Sequence, residues 1–177
     1  MVRLDGAVSF GKWKFDGDAD GLYTEYAEDA PKQTAYTYTL DGLYVGDQPQ
    51  TAYVLGTTLT PMDGLRLQGI FKMYDKNYAD WSPDSRELSG DADRSQVWQA
   101  PAYNRLDLHA SYKLPKIAGY DMTLTGHVFN ALDAVYVQDA VDNSQYNGFG
   151  DKLHLAHNAE VFLGTPRYFN LGLTVNF

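Results

Sequence analysis

The chain has 177 residues, enough for one ordinary domain with a sizeable core, and its net charge of −9 excludes nucleic acid as a partner, which needs clustered Lys and Arg. Cys is absent, which excludes a disulfide framework, a thiol nucleophile and a Cys-based zinc site. Hydrophobic residues make up 44% and tyrosines number 14, yet no run of about 18 apolar residues occurs, so a transmembrane helix is excluded too.

Period-two alternation predicts six long strands, near Val2 to Phe15, Gln50 to Thr60, Gly64 to Tyr78, Tyr103 to Leu114, Tyr120 to Ala131 and Arg167 to Phe177. Each approaches the roughly 9 to 11 residues that a tilted membrane-spanning strand requires. In the third, Leu65, Leu67, Gly69, Phe71 and Met73 oppose Arg66, Gln68, Lys72 and Tyr74, with Ile70 out of pattern. In the fourth, Leu106, Leu108, Ala110 and Tyr112 oppose Asp107, His109, Ser111 and Lys113. The last is the strictest: Phe169, Leu171, Leu173, Val175 and Phe177 fall on one face, and Tyr168, Asn170, Gly172, Thr174 and Asn176 on the other.

Connections alternate as regularly as residues do. Thr60-Pro-Met-Asp-Gly64 and Pro115-Lys-Ile-Ala-Gly119 are short turns, whereas Asp16 to Pro49, Asp80 to Pro101 and Asp133 to Pro166 are long and punctuated by Gly and Pro. Short turns at one end and long loops at the other is the asymmetry of outer-membrane barrels. Ala35 to Leu40 and Leu43 to Val45 also alternate and are expected as β-structure inside the first long loop. The fold class expected is therefore all-β, an antiparallel transmembrane β-barrel segment. Aromatics near the predicted strand ends (Tyr74, Tyr78, Trp81, Trp98, Tyr103, Phe129, Tyr136 and Phe169 by the long loops, Tyr112, Tyr120 and Phe177 by the short turns) are expected as two interfacial girdles.

Four segments taken in order, Val45-Gly-Asp-Gln-Pro-Gln50, Tyr78-Ala-Asp-Trp81, Leu106-Asp-Leu-His109 and Val128-Phe-Asn-Ala-Leu-Asp133, resemble the carboxy-terminal barrel of TonB-dependent outer-membrane receptors. The resemblance runs over nearly the whole chain, residues 1–177. It implies the last six or so strands of a barrel of about twenty-two, with the plug domain, the TonB-engaging segment and the signal peptide lying upstream of this sequence. It further implies no enzyme activity and no cofactor, but an outer-membrane receptor for active uptake of a scarce ligand such as a ferric siderophore, haem or cobalamin. The partners would be outer-membrane lipid, the transported small ligand and the TonB complex. Asn170, Gly172, Val175 and Phe177 stand where such receptors carry the signal read by the barrel-assembly machinery. Two other classes fit the alternation: a small self-contained or oligomeric porin-like barrel, and a soluble carbohydrate-binding β-sandwich.

Candidate ligand contacts are the loop aromatics Tyr23, Tyr26, Trp98 and Tyr146, which offer stacking faces, and His109 with His127, which alternation puts on the polar face of neighbouring strands. Imidazole is a common transition-metal ligand, but the simpler expectation for His109 and His127 is polar lining, and for His154 and His157 ordinary loop residues. No metal site is predicted. Asp16-Gly-Asp-Ala-Asp-Gly21 opens like a calcium loop, yet its twelfth position is Ala27 in place of the closing Glu. No Gly-x-Ser-x-Gly, His-Glu-x-x-His, phosphate-loop or dinucleotide motif occurs.

Overall fold

A computed structural model of the chain describes residues 1–26, 30–81, 94–116, 118–144 and 153–176. In chain order its strands are β1 (Val2–Phe10), β2 (Ala19–Tyr26), β3 (Pro31–Tyr38), β4 (Thr51–Met62), β5 (Leu65–Asp75), β6 (Asn77–Tyr78), β7 (Gln99–Ala100), β8 (Tyr103–Lys113), β9 (Asp121–Phe129), β10 (Val137–Asp142), β11 (Ala159–Leu163) and β12 (Tyr168–Asn176). The protein is all-β and antiparallel. The six predicted long strands form one sheet in the order β1-β4-β5-β8-β9-β12, so each long strand pairs with the next one in sequence.

The ends of those strands differ from the predicted ones for local reasons. β1 stops at Phe10, because Gly11 to Phe15 leave the ladder to bond the loops: Phe15 N donates to Leu43 O at 3.0 Å and Val45 N to Trp13 O at 3.1 Å. β5 stops at Asp75, where Lys76 takes φ 55°, a left-handed conformation that breaks a strand. Pro61 lies within β4 at the register shift between Leu59 and Met62, the kind of irregularity that tolerates a missing N–H. Gly64, at φ 79°, closes the β4–β5 turn; a Cβ there would lie 3.0 Å from Lys113 O.

Directly opposed residues of an antiparallel pair share a face, so the register assigns both surfaces of the sheet. One runs Leu4, Thr57, Gly69, Leu108, Val128, Phe169 from β1 to β12; the row beside it contains Gly6, Leu55, Phe71 and Leu106. The other runs Arg3, Thr58, Gln68, His109, His127, Asn170. Ile70, out of pattern in the sequence, lies on this second face opposite Gly56 and Asp107.

The apolar face is open. Leu4 and Phe10 are each 69% exposed, Phe169 74% and Leu171 77%. The packed hydrophobic cluster is elsewhere, among the loops: Leu40, Leu43, Trp81 and Val97 are buried together, with Phe15, Tyr38 and Tyr78 against them. This cluster belongs to the end of the sheet from which the long connections leave. There the β2–β3 and β10–β11 hairpins and the short β6–β7 pair form three small sheets of their own. The expected β-structure of the first long loop is thus β3, paired with β2, and an isolated bridge between Lys14 and Tyr44.

The aromatic girdle by the long loops needs correcting. Trp81 and Tyr136 are buried, at 8% and 4% exposure, and Tyr78 stacks on Tyr44 with ring centroids 4.3 Å apart. Tyr74 and Tyr103 pair opposite Ala52 on the polar face, and Phe129 stacks there on Tyr168 at 4.7 Å. Closeness to a strand end gives their position along the strand, but parity decides the face. On the apolar face at this end stand Phe169 and a pair the girdle prediction left out, Phe10 and Tyr53, in edge-to-face contact at 5.4 Å.

Candidate functional site

Two groups of polar side chains stand out, one joining the bases of the long loops and one on the polar face of the sheet. The first is built from the segments that carried the family resemblance. Gln50, 1% exposed, accepts from Trp13 N at 2.6 Å and donates to Val45 O and Gln48 O, each at 3.4 Å. One amide therefore closes the turn before β4 and holds the segment after β1. Beside it, a Cβ on Gly46 would lie 2.8 Å from Asp80 Cα, so only glycine lets this turn touch the Ala79–Asp80 backbone. Asp80 in turn bonds to β10, through its N–H to Ala140 O and its carbonyl from Asp142 N, both at 2.7 Å.

Asn130 does for the last loop what Gln50 does for the first. It is 1% exposed, at φ 48°. Its side chain donates to Ala134 O at 2.9 Å and Thr165 O at 3.2 Å, and accepts from Ala134 N at 3.0 Å. Its own N–H donates to Asp107 Oδ1 at 3.0 Å. Asp107, 2% exposed, is neutralised by Lys72 at 3.1 Å and Arg105 at 3.5 Å, as a buried carboxylate must be. Arg105 continues to the Tyr136 hydroxyl at 3.0 Å, and Tyr136 stacks on Tyr103 at 4.4 Å.

Charge also ties the loops together. Asp18 accepts from Leu40 N and Asp41 N and takes both Nη atoms of Arg94, at 3.0 and 2.7 Å. The Arg94 guanidinium and the Asp41 amide hold its carboxyl at about 2. Asp20 accepts from Thr37 Oγ1 at 2.8 Å, so these two acids of the incomplete calcium loop are engaged in loop closure. Burial pushes Asp47 up to about 6, with the facing Asp139 and then Asp80 adding to it. Asp142 is buried, which raises its pKa, but hydrogen bonds from His154, at 2.5 Å, and Ser144 hold it below the usual carboxylate range. His154 is thus an internal strut of the last loop, against the expectation of an ordinary loop residue. A short 3-10 turn, Ala156–Asn158, carries His157.

On the polar face His109 and His127 are directly opposed, with Nδ1 atoms 2.8 Å apart. They line a depression of about 370 Å³ with Arg66, Gln68, Ser111 and Phe129. The other sequence-predicted contacts are not gathered there. Tyr26 is 86% exposed at the tip of the β2–β3 hairpin, opposite Pro31, and Trp98 is half-buried, its carbonyl accepting from Ala79 N at 2.9 Å. Tyr23 lies in β2; its side chain, Tyr146 and Phe177 fall outside the described residues. Asn170, Gly172 and Val175 lie in β12, paired with His127, Thr125 and Met122. Gly172 has a local role: a Cβ would come within 2.8 Å of Thr125 Oγ1. Among the described residues, no three His, Cys, Asp or Glu side chains cluster as a metal site would require.

The chain matches no protein-family model, no curated protein and no solved structure.

Proposed function

We propose that this chain is the carboxy-terminal part of a TonB-dependent receptor barrel in the outer membrane, completing the wall and supplying three external loops for uptake of a scarce ligand such as a ferric siderophore, haem or cobalamin. One observation carries the membrane part of this reading: a continuous apolar surface across six strands stays open, while the buried hydrophobic cluster lies among the loops at one end. A soluble sandwich buries that surface against a second sheet about 10 Å away, and among the described residues none covers it. Lipid is the solvent in which such a face is at rest.

Dimensions agree. Nine residues of β12 at about 3.4 Å each, tilted by about 40°, rise about 23 Å, close to the apolar band of about 25 Å typical of outer-membrane barrels. A shallow trough on this face, about 560 Å³ and floored by Gly69, Ala110 and Gly126, is shaped to take acyl chains. The receptor assignment rests on the family resemblance, now with a physical role for its segments in the loop bases.

Two measurements test the two layers separately. Fractionation of cells expressing the native gene, followed by electrophoresis with and without boiling, is expected to find the product in the outer membrane with heat-modifiable migration; a product soluble without detergent overturns the membrane reading. Reading the genomic frame upstream of Met1 is expected to give further alternating strands, a plug domain and a signal peptide. A stop codon close upstream overturns the receptor while leaving a small or oligomeric barrel.

A further inference from the structure

The His109–His127 pair supports more than the polar lining expected of it. We infer that these two imidazoles form a bidentate site for a tetragonal divalent transition-metal ion, Cu(II) or Ni(II), on the polar face of the sheet. The inference goes beyond the proposed function and stands on the side chains of this face, whatever solvent the other face meets.

Register comes first. His109 and His127 are opposite residues of β8 and β9, and a slip of one residue in either strand would send one ring to the other face. The ladder on both sides fixes that register, with nine paired positions between β9 and β12 and ten between β5 and β8. Two imidazoles are therefore held on a rigid frame, so little conformational entropy is lost when both bind one ion.

The donor set selects the ion. Nδ1 atoms 2.8 Å apart with ring centroids 5.0 Å apart point at each other, so both rings must turn for their lone pairs to converge on one ion. Two imidazole nitrogens completed by oxygen ligands then suit a tetragonal Cu(II) or Ni(II) ion. In the metal-free protein the same separation suits an N–H···N hydrogen bond; when both Nδ1 atoms bind one ion, the donor ring carries its proton on Nε2 instead.

The surroundings fit a partly open coordination sphere. Gln68 and Asn170 flank the pair on the same cross-strand row, each with an amide oxygen, at strand spacings of about 4.8 Å. Arg66 lines the depression and favours an anionic oxygen ligand, such as a carboxylate, on the positions the protein leaves to solvent. With no third His, Cys, Asp or Glu in the cluster among the described residues, the site would hold an ion reversibly and accept it together with other ligands.

Copper titration of the full chain tests this, in detergent micelles or in plain buffer if the chain proves soluble, with electron paramagnetic resonance as the readout. One Cu(II) per chain is expected, with hyperfine splitting from two nitrogens. His109→Gln and His127→Gln should each lose the two-nitrogen signature, and the double variant should lose saturable binding, while His157→Gln changes neither. Circular dichroism of each variant checks the fold, and the single variants keep the test open if the double variant does not fold. A two-nitrogen signature that survives in a folded variant, or a wild-type chain that binds no copper saturably, would reduce the pair to a hydrogen-bonded clasp and overturn the inference.

Discussion

Leu171 offers the sharpest test of which solvent the apolar face meets. It lies on β12 opposite Gly126, two residues in from Phe169 and two before Leu173, and its side chain is 77% exposed. If water covers this face, Leu171→Arg is an ordinary surface substitution, within about 0.5 kcal/mol of neutral. In a bilayer, a site near the middle of an apolar band of about 25 Å makes the same change cost about 2 to 4 kcal/mol, falling to about 0 to 1 kcal/mol near the interface. Phe169, at the loop end of the same strand and face, is the internal control for depth. Leu171→Ala controls for the contact with Gly126, where a Cβ would lie 3.2 Å from Leu171 Cδ2. Equilibrium urea titrations in lipid vesicles would be run on the complete gene product with each of the four sequences, following the folded fraction by heat-modifiable migration. The expected order is wild type, then Leu171→Ala and Phe169→Arg, with Leu171→Arg far below. Equal costs for arginine at 169 and 171, or a cost at 171 no greater than that of alanine, would refute lipid exposure of this face.

Two further predictions concern the loop bases. Asn130→Ala removes three side-chain hydrogen bonds at a buried site and should cost about 1 to 3 kcal/mol, read as a lower urea midpoint; an unchanged midpoint would show that Asn130 does not anchor the last loop. Asp47 is raised from 3.8 to about 6, so between those values the folded chain binds the extra proton. Its contribution is therefore complete below about pH 3.8 and is lost as pH rises through about 6. Asp47→Asn should make the loop bases more resistant to proteolysis at pH 7 than the wild type and leave them little changed at pH 4; equal resistance at pH 7 would contradict a cost of burying the Asp47 charge beside Asp139 and Asp80.

The sheet was legible because one physical demand acts on every long strand. Each has one apolar and one polar face, and a period of two records that directly, as Leu171 and Asn170 show. Hairpin connectivity followed from the short turns Thr60 to Gly64 and Pro115 to Gly119, where Gly64, Ala118 and Gly119 take positive φ values. The loops were less legible, because Gln50 and Asn130 act through partners up to 37 residues away, and a polar residue in a polar loop gives no periodic signal that it will be buried. Parity already set Tyr74 with Arg66, Gln68 and Lys72, and Tyr103 shares the parity of Asp107 and His109, so the girdle expectation for this pair conflicted with the alternation of their own strands. For His109 and His127 alternation put both on the polar face; the nitrogen separation depends on register and rotamer, which no alternation encodes.

Two features of the sheet bear on the size of the finished structure. Strands β1 and β12 each pair on one side only among the described residues, so about half the backbone N–H and C=O groups of each point away from the sheet. In hydrocarbon an unsatisfied backbone group costs several kcal/mol, and β12 alone has nine residues. That total exceeds the 5 to 15 kcal/mol or so by which a folded protein is ordinarily stable. A sheet whose apolar face meets lipid must therefore have both edges paired before it is stable there. Six strands are fewer than the eight of the smallest barrels whose interior side chains fill the lumen. The polar face here bears a buried, charge-paired Asp107 and two depressions; in the proposed barrel this face would line a lumen wider than that of the smallest barrels. On the proposed membrane reading, the exposed apolar face and the open edges are thus one requirement seen twice: β1 and β12 each need a further strand, from this chain or another.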